Sequence, residues 1–155
     1  MLEAQTGKQV FSKTHRLVRD REVLILDEFL KNSEEIIAIE KEQTTIEWED
    51  KKISVENVKE MQEFSQNIAY LPAQKIKYPL ILRKWKAGDR FQPFGMKGKK
   101  KLSDFLKDEK LSPLEKENTW VLISDKKIAW VVGHRTDERF KIEPNTTTIL
   151  KLNLT

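Results

Sequence analysis

The sequence predicts an α+β, strand-rich protein. Three observations carry that reading. Short apolar runs alternate with polar residues in both halves of the chain, turn-like clusters such as EDKK and DKK separate them, and only two stretches space apolar residues for a helix.

Taken in order, HRLVRDR (15–21) and VLILDEF (23–29) read as strands across a tight polar link, and EIIAIEK (35–41) reads as a third. TTIEWEDKKISV alternates around EDKK, which predicts a hairpin with Ile46, Trp48, Ile53 and Val55 facing inward. Residues 56–67 place Val58, Met61 and Phe64 for one short amphipathic helix. AYLPAQKIKYP, with two prolines, suits a linker. The expected division is therefore residues 1–76, a smaller β-containing part, and residues 77–155, a second domain.

In that second part PLILRKW is a strand, and AGDRFQPFGMKGKKK is too rich in Gly, Pro and Lys to be regular. LSDFLKDEK is a helix, with Ser103 as the expected N-cap, Asp104 at the positive end of the dipole and Phe105 with Leu106 on the apolar side. Pro113 blocks its continuation. TWVLIS and KIAWVVG form a hairpin across DKK, and TTILKLNL is the closing strand.

A chain of 155 residues fits one ordinary domain or two small ones and buries roughly 68–70% of its unfolded surface. Charged residues reach 35% where about 25% is usual, so the surplus lies on the surface. There is no cysteine, which excludes disulfides, thiolate metal sites and a cysteine nucleophile, and fits a reducing compartment; cytoplasm is the expectation. Apolar runs such as VLIL, IIAI and IAWVV fall far short of the ~20 residues of a membrane span. His15 and His134 lack metal-ligand spacing, Asp104, Asp108 and Glu109 read as dipole and solubility features, and neither G-x-S-x-G nor G-x-G-x-x-G occurs. No catalytic site and no metal site is expected in these residues.

The net charge of +4 hides a strong asymmetry. Residues 22–63 hold thirteen acids against five bases, whereas residues 83–101 hold eight bases against the single acid Asp89. Any polyanion contact is thereby placed on Arg83 to Lys101. Gly95 and Gly98 permit positive φ and close approach of backbone N–H groups to an anion, Lys97, Lys99, Lys100 and Lys101 stand around them, and a helix start follows. Arg83, Lys84, Lys86 and Arg90 precede them, with alternation putting Arg83 and Trp85 on one strand face and Lys84 and Lys86 on the other. A Walker A loop is absent, since Gly98-Lys99 is followed by Lys100, and a KH-type G-x-x-G would need helices on both sides. On charge alone, a solvated lysine turn and a nucleic-acid surface both stand. Most aromatic residues are assigned to the core; Phe94, inside the loop, is the exception that suits base stacking.

Residues 79–142 carry an ordered set of motifs: Arg83-Lys84-Trp85, Gly88-Asp89-Arg90, Pro93 with Gly95-Met96, Gly98 with Lys100-Lys101, Leu102-Ser103-Asp104-Phe105, Trp130-Val131 with Gly133, Arg135-Thr136-Asp137 and Arg139-Phe140. This run resembles the C-terminal domain of bacterial tRNA(Ile)-lysidine synthetases, and residues 6–26 resemble, more weakly, the segment that follows their catalytic region. The resemblance implies a β-sandwich-like domain of the kind shared with the phenylalanyl-tRNA synthetase β subunit. It implies a parent ligase that uses ATP and magnesium to join lysine to the wobble cytidine of the CAU-anticodon isoleucine tRNA. The S-G-G-x-D-S loop of its catalytic domain does not occur here, so the chain is read as a C-terminal fragment with no cofactor of its own.

What remains for such a module is recognition of that tRNA through its acceptor stem. Lys97, Lys99, Lys100 and Lys101 are then assigned to phosphates, with Arg83, Lys84, Lys86, Arg90, Arg135 and Arg139 as further candidates. The Arg and Asp of HRTDERF equally suit a structural ion pair, and Asp89 is expected to brace Arg90 or the loop backbone. The other partners expected are the catalytic domain of the same enzyme and a second copy of the chain; no membrane is expected. The alternative function is an interaction or dimerisation scaffold without RNA contact.

Overall fold

The computed structural model describes residues 35–155 and the backbone of two strands, β1 (Gln9–Ser12) and β2 (His15–Val18). The chain divides into two units, Met1–Ile36 and Ile37–Thr155. In the first, β1 and β2 pair antiparallel from Gln9↔Val18 to Ser12↔His15. The strand expected at 23–29 lies outside the described residues.

The second unit stacks two sheets. One has the order β4-β5-β13-β6, from β4 (Thr45–Trp48), β5 (Lys51–Val58), β6 (Ile68–Pro72) and β13 (Ile149–Leu154). The other has the order β12-β11-β10-β7-β3, from β3 (Ile36–Ile39), β7 (Leu80–Lys84), β10 (Trp120–Ser124), β11 (Lys127–Val131) and β12 (Arg135–Thr136). Period-two alternation sends Ile46, Trp48 and Ile53 from one sheet and Leu80, Leu82, Trp120 and Leu122 from the other into a shared core. Trp48 and Trp120 meet edge to face there, with ring centroids 5.6 Å apart.

The opposite face of the five-stranded sheet is buried as well. Val121, Ile128 and Val131 pack against Phe91 and against Leu102, Phe105 and Leu106 of a seven-residue helix, Leu102–Asp108. So short a helix is marginal alone. It forms here because three of its seven side chains are almost fully buried, each contributing about 1.5–3 kcal/mol of transfer energy. The β10–β11 hairpin turns on Asp125 and Lys126, both at positive φ, as a two-residue primed turn requires. Ala129 is left unopposed between the pairs Leu122↔Trp130 and Ile123↔Ile128, a bulge that breaks the alternation and puts the adjacent Ala129 and Trp130 into the same core.

Several expectations are corrected. The helix at 56–67 is replaced by the end of β5 and an irregular segment. Val58 pairs with Ile149, and the Tyr70 hydroxyl ties down Glu63, accepting from its N–H at 3.1 Å and donating to its carbonyl at 2.6 Å. The linker at 69–79 begins instead with a buried strand, β6, which Pro72 ends. Because β13 pairs with both β5 and β6, residues 45–72 share a sheet with the end of the chain. Ser103 does not cap its helix; the cap position is Lys101. Pro113 not only stops one helix but opens another, Pro113–Glu117, with a Ser112–Glu115 capping box.

Candidate nucleic-acid interface

The basic segment leaves the sandwich at the end of β7, makes a turn at Lys86–Asp89, and forms a short ribbon of β8 (Arg90–Phe91) and β9 (Lys100–Lys101). Phe91 anchors the ribbon through its edge-on contact with Phe105, at 5.0 Å and 88°. Between the two strands, residues 92–99 project as a loop.

Three carboxylates hold this segment. Asp89 receives both terminal nitrogens of Arg83, at 2.9 and 3.0 Å, and the Lys86 N–H at 2.8 Å. It therefore braces Arg83 and the loop backbone, not Arg90. Asp137 is fully buried and accepts from Gln92 N–H, Arg139 N–H and the Arg139 Nε and Nη2 donors, all at 2.8–2.9 Å. That pair raises the Arg139 pKa above its ordinary value, chiefly through the hydrogen bond to Asp137. The Phe94 N–H donates to the Thr136 carbonyl, and the Gly95 N–H donates to the Glu138 carboxylate at 2.9 Å. This last bond, followed by Lys141, holds the Glu138 carboxyl below the usual range.

Gly95, at φ +90°, thus offers its N–H to an anion as expected, but the anion is the protein's own Glu138. The start of the 102–108 helix is likewise engaged, because Leu102 N–H donates to the Asp89 carbonyl at 2.9 Å.

The ten basic candidates separate by partner. Arg83 is held by Asp89, and Arg139 by Asp137. Lys100 is paired with Asp108, whose carboxyl it lowers by hydrogen bonding. Lys84 is buried, donating to Asn118 Oδ1 at 3.2 Å beside the Trp120 ring. Arg135 lies 5.4 Å over the Phe105 ring. Lys86, Arg90, Lys97, Lys99 and Lys101 are exposed and carry no ion pair among the described residues. Of these, Arg90 and Lys101 stand directly opposite each other across the β8–β9 ribbon. Like charges in that relation repel, by about 1 kcal/mol for charges 4 Å apart in water, until an anion lies between them.

Sequence reasoning located the loop but not Glu138, for which no local signal exists. It also assigned Phe64 to a helix core, whereas Phe64 is 74% exposed. Phe64 and Phe94 both line a cleft of about 270 Å³ with Met61, Tyr70 and Trp130. Phe94 is half exposed, as expected of the aromatic residue singled out in the loop, while Phe91, Phe105, Trp120, Trp130 and Phe140 are buried.

Fold and surface together define a β-sandwich domain that presents a carboxylate-braced loop of unpaired cations. Residues 80–153 match the TilS substrate C-terminal domain family, and residues 1–29 match the TilS substrate binding domain family. A tRNA(Ile)-lysidine synthase of Parabacteroides distasonis is 42% identical across 98% of this chain, and one of Bacteroides thetaiotaomicron is 39% identical across 96%. The chain spans about a third of their length, 35% and 33% respectively. A solved structure titled "Crystal structure of TILS C-terminal domain" superposes with a TM-score of 0.60 over 68% of this chain and 83% of its own, at 18% identity, which shows the same fold. These residues belong to the C-terminal region of the tRNA(Ile)-lysidine synthase family, and correspond to that part of the relatives instead of their catalytic domain. Among the described residues no helix is long and apolar enough to cross a membrane.

Proposed function

We propose that this chain is the tRNA-recognition part of a cytoplasmic tRNA(Ile)-lysidine synthase, and that it grips the acceptor stem by its phosphates. The observation that carries the reading is the pair Arg90 and Lys101, opposed across the ribbon with no ion pair among the described residues, with Lys97, Lys99 and Lys86 exposed nearby in sequence. A protein that used these cations for stability would pair them, as it pairs Arg83, Lys100 and Arg139. Unpaired cations on a braced loop suit an extended polyanion, whose phosphates fix register while base identity is read elsewhere. Lysine ligation, with its ATP and magnesium, would belong to the catalytic domain of the parent enzyme, and the isoleucine tRNA with a CAU anticodon would be its substrate.

The reading is tested by competition for full tRNA. A minihelix copying the acceptor stem should displace it at near-equal concentration, and an anticodon stem-loop should not. Equal competition by the anticodon stem-loop would overturn the acceptor-stem assignment.

A further inference from the structure

The cleft shared by Phe64 and Phe94 opens beside the braced loop. It is lined mainly by apolar side chains, among them Met61, Phe64, Tyr70, Phe94, Trp130 and Ile142. Phe64, Phe94 and Met61 are 74%, 52% and 40% exposed, although Tyr70 and Trp130 beside them are buried. The backbone beneath them is fixed. Tyr70 grips Glu63 through two hydrogen bonds, the Phe64 ring meets Tyr70 tilted at 5.8 Å, and Phe94 is pinned by its N–H to Thr136. Exposed rings on pinned backbone are preorganised surfaces, not frayed core.

We propose that this cleft takes one unpaired RNA base, stacked against Phe94 and Phe64, next to the cations that hold the backbone. Aromatic faces accept any base, and the cleft volume of about 270 Å³ lies just below the roughly 300–1,000 Å³ of drug-sized pockets, enough for a single planar group. Phe94 stands in the same loop as Lys97 and Lys99, so a strand whose phosphates lie on the lysines delivers a base to the ring. Arg135 also lines the cleft and carries no ion pair among the described residues, which gives its rim the sign that suits a nucleotide and not an apolar peptide. The inference rests on the phosphate-binding reading and adds a subsite to it.

The test titrates the 155-residue chain with two hairpin RNAs of identical stem, one blunt and one with a single-stranded 3′ extension. The native chain should prefer the extended RNA. Phe94→Ala and Phe64→Ala should each lower affinity for the extended RNA by about 5- to 100-fold and leave the blunt RNA within about two-fold, while Phe94→Trp should retain binding. No preference for the extension, or equal losses on both RNAs, overturns the base site alone. Binding to neither RNA overturns the phosphate reading as well. If Phe94→Ala abolishes self-association and leaves RNA binding intact, the cleft belongs to a second copy and the proposal fails.

Discussion

Replacing Asp137 by alanine removes one carboxylate that four donors share, and the cost can be worked from its partners. Gln92 N–H and Arg139 N–H lose their acceptor in a site where Asp137 is fully buried. An unsatisfied buried donor costs about 1–3 kcal/mol. The Arg139 ion pair adds at most about 1 kcal/mol, because its side chain is 27% exposed and solvent screens it. Water entering the site offsets part of this, so Asp137→Ala should lose about 3 kcal/mol, at the lower edge of the 3–5 kcal/mol seen when one partner of a buried pair is removed. In a chain of 155 residues that lowers Tm by roughly 6–12 °C. Urea and thermal unfolding measure it. The double variant with Arg139→Ala should lose clearly less than the two single losses combined, since both remove one interaction. A loss below about 1 kcal/mol, or strict additivity, would refute the assignment of Asp137 as the brace. The same variant should weaken RNA binding although every loop cation is retained, because residues 92–96 hang from Asp137 and its neighbours.

Three further outcomes follow from the partner geometry. Arg83→Ala should destabilise by about 2–4 kcal/mol in urea unfolding, and Arg83→Lys should recover little, because only the planar fork matches Asp89 at both nitrogens. Lys101→Ala should flatten the salt dependence of RNA binding by about 0.7–0.9 in log–log slope, whereas Lys100→Ala, already paired with Asp108, should change it by less than half as much. His134 is held below its ordinary pKa of 6.5, first by burial, with Glu109 and Glu115 opposing. The unfolded chain then binds the proton first as pH falls, so stability present above pH 6.5 declines through and below that value, and urea midpoints measured on either side of it should differ less in His134→Gln than in the native chain.

The strands were legible wherever apolar residues alternate against a buried face: Ile46, Trp48 and Ile53, or Leu80 and Leu82, announce both strand and inward side. Residues 56–67 misled because Val58, Met61 and Phe64 fit a helical period by coincidence; two of the three are exposed, and a tertiary contact from Tyr70 decides the backbone. The Ser112–Glu115 box was present in SPLE and marks the second helix, which a reading of Pro113 as a breaker alone hides. At the site, the cluster of lysines was visible in the charge count. Which lysines are free was not, since Asp108 and Asp137 are set against Lys100 and Arg139 only by folding. The partners of Asp89 and Gly95 are likewise a matter of turn geometry that spacing does not encode.

If the exposed cations of the β8–β9 ribbon and loop hold the RNA, a salt series of tRNA binding for the native chain and for R90A/K97A/K99A/K101A measures it most directly. With four phosphate contacts removed, the log–log slope should flatten by roughly 3, and urea unfolding should show native-like stability, because none of the four carries an ion pair among the described residues. An unchanged slope at native-like stability would place the RNA, or any other polyanion, on a different face of the molecule.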